Sequence, residues 1–200
     1  MIDPQPVTLT GTVVRLEPLE RRHAADLWAA ASEPAIWRYL PVAMPESVET
    51  VERLIELARE GLETETEIPF AVIHLESGKA VGSTRYLDID RYHDSLEIGW
   101  TWYGVAQQRS AVNTECKWLL LRHAFDELGC VRVTLKTDAR NEASQRAIER
   151  IGAVREGVFR KHYRLRHGGR RDSAYYSITD DDWPAIQQRL QTLLDRRSPD

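Results

Sequence analysis

The 200-residue chain reads as one mixed α/β domain, residues 1–200, with helices layered on a single sheet in the order β-α-α-β-β-β-α-β-α-β-β-α. Three observations predict this class. Runs such as Val7–Glu17 carry the two-residue alternation of a half-buried strand. Longer stretches repeat apolar residues every three or four positions and stop at glycine, as amphipathic helices do. The segment Glu97–Gly152 then strings together strand, polar loop, helix, strand and helix, the sequence of a sheet crossed by helices.

Taken in order, Val7–Glu17 is the first strand and Glu20–Ser32 a helix with Leu27, Ala30 and Ala31 available for its buried face. Pro34 and Pro41 bracket an aromatic loop holding Trp37 and Tyr39. Ser47 is placed to cap a second helix, whose Val51, Leu54, Ile55, Ala58 and Leu62 form an apolar stripe. Ile68–Leu75, Lys79–Asp90 and Asp94–Trp102 read as strands joined by turns at Ser77-Gly78 and around Arg91–Asp94. A long helix starts at Asn113 or Thr114, repeats Trp118, Leu121, Ala124, Phe125 and Leu128, and ends at Gly129. Val131–Thr137 is β-branched, as a central strand is. Asn141–Ile151 is a helix closed by Gly152, and Val154–Arg166 with Arg170–Ile178 forms a hairpin across Gly168-Gly169. Asp180 or Asp181 caps a last helix carrying Trp183, Ile186, Leu190 and Leu193.

A chain of this length builds a core without metal or disulfide support. The net charge of −4 argues against general nucleic-acid binding, because a domain that neutralises many phosphates is usually basic. The charge is uneven: residues 46–67 hold eight Glu against two Arg, and residues 155–171 seven Lys or Arg against one Glu. Such runs either face different partners, acidic toward an amine and basic toward phosphate, or are solvated faces. Cys116 and Cys130, the only cysteines, are not placed to bridge, which suits a reducing compartment. The six histidines show no metal-ligand spacing, so no metal is expected. The first residues lack the basic start and apolar core of a signal peptide, and no apolar run reaches membrane-spanning length. A cytoplasmic location with no membrane partner is the expectation.

The most informative stretch is the loop into the long helix. From Val105 to Asn113 it has no acidic residue, and Glu115 is the first. Unpaired N–H groups and the positive end of the helix suit an anion there, so a phosphate-bearing ligand is expected at residues 107–114.

EIGW at 97–100, QQRSAVNTE at 107–115, N-x-x-S-x-x-A-I-x-x-I-G-A at 141–153 and REGVFR at 155–160 followed by RRDSAYYSI resemble the GNAT superfamily of N-acetyltransferases. The closest branch is that of the RimJ/RimL-type ribosomal-protein N-terminal acetyltransferases. The resemblance implies the GNAT acyl-CoA N-acyltransferase fold: a mixed sheet of about seven strands, helices on both faces, splayed between the fourth and fifth strands, here Asp94–Trp102 and Val131–Thr137. It implies acetyl-CoA as co-substrate, lying in that gap and pairing with backbone near Trp100, Trp102 and Tyr103. The family's pyrophosphate loop is usually Q/R-x-x-G-x-G/A. Gln107 matches, but Ser110 and Val112 stand where the glycines would be. Backbone N–H groups of Arg109, Ser110, Ala111, Val112 and Asn113, with Thr114 beside them, remain candidates for the phosphates, and the Arg109 side chain adds a charged contact.

The resemblance further implies direct attack by the amine in a ternary complex. Glu97 is the candidate general base. By strand parity it shares a face with Gly99, opposite Ile98 and Trp100. Many members use a Tyr seven residues beyond Asn141 as general acid; Ile148 stands there, and Ser144 is the candidate implied by the RimL-like branch. Asn141 is implied both to cap its helix and to hold the pantetheine amides, and Arg146 to meet the adenosine phosphates. Trp37, Tyr39, His162 and Tyr163 fall where the family builds its amine pocket. The amine itself is a protein N-terminus or a small molecule such as an amino acid, polyamine or antibiotic. A non-catalytic acyl-CoA-binding module is the rival reading. A homodimer through the C-terminal elements is compatible with the sequence.

Overall fold

The computed structural model describes residues 1–165 and 168–196. Its sheet has eight strands: β1 Leu9–Thr10, β2 Val14–Pro18, β3 Ile68–His74, β4 Lys79–Asp90, β5 Ser95–Tyr103, β6 Arg132–Asp138, β7 Val154–Arg164 and β8 Arg170–Thr179. The helices are α1 Ala24–Ala30, α2 Pro34–Trp37, α3 Val48–Glu63, α4 Val112–Arg122, α5 Glu142–Ile151 and α6 Trp183–Asp195. Spatial order is β1-β2-β3-β4-β5-β6-β8-β7. Every pairing is antiparallel except β5 with β6.

The mixed sheet with helices on both faces is as expected. The single first strand is corrected: it breaks at Gly11–Val13 into β1 and β2, giving eight strands rather than seven, so the expected fourth and fifth strands are β5 and β6. Two further elements differ. The aromatic stretch after Pro34 is a short helix, because Pro at the first position costs no hydrogen bond. The first predicted helix opens with a 3-10 turn over Arg21–His23 before α1. Arg166, the predicted end of the first hairpin strand, lies outside the described residues.

Capping explains several boundaries. Ser47 Oγ accepts from Thr50 N at 3.3 Å and starts α3. Asn141 Oδ1 accepts from Ser144 N at 3.1 Å and starts α5, which Gly152 ends with φ of +106°. The residue before the last helix is not Asp180 or Asp181 but Asp182, whose Oδ2 caps no helical N–H and instead accepts from Thr179 N and Oγ1 at 3.0 and 2.7 Å, fixing the turn that leads in.

Two apolar layers sandwich the sheet. Leu96, Ile98, Val133, Leu135, Ala174 and Tyr176 face α4, α5 and α6. Ala71, Ile73 and Ala80 face α1 and α3 through Leu27, Val51, Ile55 and Ala58. Among the described residues no helix is long and apolar enough to cross a membrane.

Candidate active site

The site begins where the sheet stops pairing. β5 and β6 are bonded only at Ser95–Arg132, Leu96–Val133 and Glu97–Thr134, yet β5 runs on to Tyr103 and β6 to Asp138. The gap is opened by a bulge: β4–β5 register shifts between Ser83 and Arg85, and Trp100 takes φ of +50°. Beyond Glu97 the edge of β5 offers backbone N–H and C=O groups to a ligand rather than to β6.

The bulge also corrects the simple alternation. Trp100 does not follow Ile98 to the α4 side; with Trp102 it lines a cavity of about 40 Å³ shared with Leu27, Trp37, Ile55 and Arg85. Arg85 lies over the Trp100 ring at 4.3 Å, and Trp37 packs on Trp102 at 5.0 Å. Trp37 is buried and donates its indole N–H to Ala31 O at 2.9 Å, so it builds the wall rather than an open stacking surface. Tyr39 reaches across to Arg140 O at 3.3 Å and ties the α2 region to the loop after β6.

Glu97 sits where the strands part, with Leu96 and Ile98 turned to the opposite core. It is only 3% exposed. Lys136 Nζ, at the next-but-one position along β6 from Thr134, holds Glu97 Oε2 at 2.7 Å and Asp88 Oδ2 at 3.2 Å. Burial pushes the Glu97 carboxyl up to about 7, with Lys136 opposing the rise. Lys136 is itself shifted upward: burial works against its charge, but the attraction of Glu97 outweighs it. A carboxyl poised near neutrality suits a general base.

Gly99 makes room for this carboxylate. A Cβ there would stand 2.8 Å from Glu97 Oε1 and 3.0 Å from Leu87 Cδ2. Gly99→Ala should therefore displace Glu97 from Lys136 and lower kcat by up to about 10²-fold, with steady-state rates as the check.

Around the pair stands an aromatic and basic group from the hairpin. Phe159 stacks on Tyr175 at 4.2 Å, and His162 lies 3.9 Å from Tyr163 by ring centroids. Lys136 lies over Tyr163 at 5.5 Å, and Arg171 over the same ring at 5.7 Å. His162 Nδ1 meets Ser173 Oγ at 3.1 Å. Burial, then the charges of Lys136 and Arg171, lower the His162 pKa and keep the ring neutral. Arg171 Nε is buried and has no hydrogen-bond partner among the described residues. Lys136, Arg171, Asp88 and Tyr175 were not singled out from sequence. The signal for Lys136 was present in the alternation of β6, which places Thr134, Lys136 and Asp138 opposite Val133 and Leu135.

The phosphate loop is built without its glycines. The left-handed residue is Arg109, φ +62°; Ser110 and Val112 need no such conformation. Ser110 Oγ donates to Gln107 O at 2.6 Å and accepts from Val112 N at 3.2 Å. Val112 is buried in the core, and Ala111 caps α4 by its backbone. Asn113 and Thr114 lie in the first turn, where no helical carbonyl precedes them, so their N–H groups face the loop's open end. The Thr114 side chain is taken by Arg150, whose Nη2 donates to Thr114 Oγ1 at 3.0 Å. The N–H groups at the head of α4 are placed to receive an anion.

On α5, Arg146 is exposed and paired with Glu142 at 3.1 Å. Ile148 is buried in the core. Asn141 caps the helix. Asn141→Asp should keep the cap and the melting temperature, whereas Asn141→Ala should cost about 1 kcal/mol of stability, read by calorimetry.

Residues 14–154 match the acetyltransferase (GNAT) domain family. A GCN5-related N-acetyltransferase from Brucella melitensis is 33% identical, with a TM-score of 0.90 over 96% of this chain and 86% of that one. YoaA of Bacillus subtilis, an uncharacterized N-acetyltransferase, is 23% identical over 86% of this chain and 96% of its own. Mycobacterium smegmatis RimJ, solved with CoA-disulfide, shares the fold at 20% identity, with a TM-score of 0.81 over 94% of this chain and 95% of that one. The splayed sheet, the loop at the head of α4 and these likenesses agree: the chain belongs to the GNAT family and is an N-acetyltransferase that uses acetyl-CoA.

Proposed function

We propose that the acceptor is the α-amine of a protein N-terminus, acetylated by direct attack in a ternary complex. The observation that carries this reading is the surface beside Glu97. Phe159 and Tyr163 stand exposed there, and α1 and α3 pack over β3 and β4 instead. An extended peptide end fits such a face. Within it, the spare Nε–H of Arg171 suits an acceptor oxygen near the amine, as the first peptide carbonyl is.

Acetyl-CoA supplies the activated acetyl group. The chain's residues do the rest. Amides of Asn113 and Thr114, with Arg109, hold phosphate; Asn141 and the free edge of β5 hold the pantetheine arm; an N–H near Trp100 polarises the thioester carbonyl. Glu97 takes a proton from the amine. An α-amine suits this base better than a lysine side chain, because its pKa near 8 leaves far more neutral amine at pH 7 than a value near 10.4 does. Ser144, with its hydroxyl at the head of α5, is the serine proposed beside the leaving group.

The RimJ likeness is consistent with a ribosomal-protein acceptor. A carboxylate would also meet Arg171, so a free amino acid is the second reading. The test is a panel with thiol-release detection: N-terminal peptides, the matching free amino acids, and alkyl amines. Faster turnover of peptides supports the proposal. Preference for free amino acids overturns it in favour of the second reading, and equal turnover of alkyl amines removes Arg171 as a handle.

A further inference from the structure

One buried charge has no part in the scheme above. Lys117, on α4, is 6% exposed. Its Nζ donates to Thr101 Oγ1 at 3.0 Å, and Thr101 Oγ1 lies 2.8 Å from Thr84 Oγ1. An ammonium has three donors, and this one has a single hydrogen-bond acceptor and no ion pair among the described residues. Thr101 belongs to the stretch of β5 just past the Trp100 bulge, where the strand has left β6. Thr114, one turn back on α4, is bonded to Arg150 of α5. Lys117 therefore lies on the α4 face of the sheet, under the stretch of β5 that has parted from β6, beside the gap where the acetyl donor is read to lie.

The surroundings leave it uncompensated. Glu115, its neighbour on α4, is turned to Thr12–Val14. Cys116 is kept neutral, its thiol pushed up to about 12 by burial. Tyr103 on β5 is likewise raised well above its ordinary value. Glu97 is the one carboxylate on the neighbouring strands whose charge is felt at Lys117, and Arg150 donates to Thr114 one turn away. Burying an ammonium this deeply with one acceptor is costly unless a ligand uses the charge.

We propose that Lys117 donates the proton to the sulfur that leaves when the thioester breaks, the task that Ile148 cannot perform. The proposal rests on acetyl-CoA lying in the splay. The balance is simple. The amine nitrogen bonds to the carbonyl carbon, and the carbon–sulfur bond breaks with its electron pair on sulfur. Lys117 Nζ gives one proton to that sulfur. Glu97 receives the proton lost by the nitrogen and passes it to solvent, and Lys117 recovers one from solvent. The sum is amine plus thioester giving amide plus thiol. Burial pulls the Lys117 pKa down to about 8. At this lowered value Lys117 gives up its proton to a departing thiolate more readily than an ordinary lysine near 10.4 does.

The test compares wild type, Lys117→Met and Ser144→Ala. Methionine replaces a desolvated ammonium with an apolar chain of similar length, so the variant is expected to fold with an unchanged or higher melting temperature. The thiol of bound CoA is titrated by its thiolate absorbance, a readout independent of turnover. In wild type it should ionise below the pH at which free CoA does, and in Lys117→Met at or above it. Acetyl-CoA affinity should stay within a few-fold, while kcat falls about 10²-fold. The proposal is overturned by identical thiol titration in wild type and Lys117→Met, by an undiminished rate, or by a shift confined to Ser144→Ala. Should Lys117→Met fail to fold, wild type alone decides: a bound thiol no more acidic than free CoA overturns it. Failure of wild type to bind CoA would sink the donor site first, and the Lys117 role with it.

Discussion

A Glu97→Gln enzyme should turn over about 10²- to 10³-fold more slowly than wild type while binding acetyl-CoA as well. Gln keeps the shape and can still accept from Lys136, but it cannot take a proton from the amine. The pH dependence carries the same assignment. In the proposed role Glu97 works as carboxylate, so kcat/KM should rise through about pH 7. Lys136→Met removes the cation that favours the carboxylate, so the rising limb should move to higher pH. Retention of most of the rate by Glu97→Gln, or an unmoved limb in Lys136→Met, would take the proton-accepting role from Glu97.

The same carboxyl should destabilise the fold where it is active. Its folded pKa of about 7 lies above the reference value of 4.5, so the native chain binds this proton more tightly than the unfolded chain does. The stability contributed is full below about pH 4.5 and is lost as the pH rises through about 7.

Glu115→Ala should cost on the order of 4 kcal/mol of stability, measured by denaturant unfolding, whatever the activity of the survivor. The side chain is 3% exposed and accepts from Thr12 N at 2.8 Å, Thr12 Oγ1 at 2.7 Å, Val13 N at 2.7 Å and Val14 N at 2.6 Å. It fastens α4, and so the phosphate loop before it, to the β1–β2 turn. Alanine strands three backbone donors, of which the Val14 N–H is buried. Gly11→Ala attacks the same lock from the other side, since a Cβ would lie 2.4 Å from Glu115 Cδ. A loss below about 1 kcal/mol for Glu115→Ala would show that the turn finds other acceptors.

Much of the fold was legible because it is written in local periods. The stripe from Val51 to Leu62 and the cap at Ser47 gave α3, and Asn141 with Gly152 bounded α5. Glu97 was legible as an acidic residue in a strand beside the splay, and Ser110 and Val112 as departures from a glycine loop. The break at Gly11–Val13 was not, because the alternation of Val7–Glu17 continues across it while Glu115, a hundred residues away, decides the turn. Trp100 was misread in orientation for a related reason. A bulge shifts the two-residue period by one, and nothing in the residues themselves announces it.

By itself, then, the sequence determined the element order, the caps of α3 and α5 and the family pattern from Glu97 to Gly152, since these depend on neighbours within a few positions. Only the tertiary structure decided which charges meet. Lys136 and Glu97 lie on different strands, Arg171 comes from the hairpin, and Lys117 from α4. Their ionisation is set by burial and by one another across the sheet, and both are consequences of packing that no local spacing encodes.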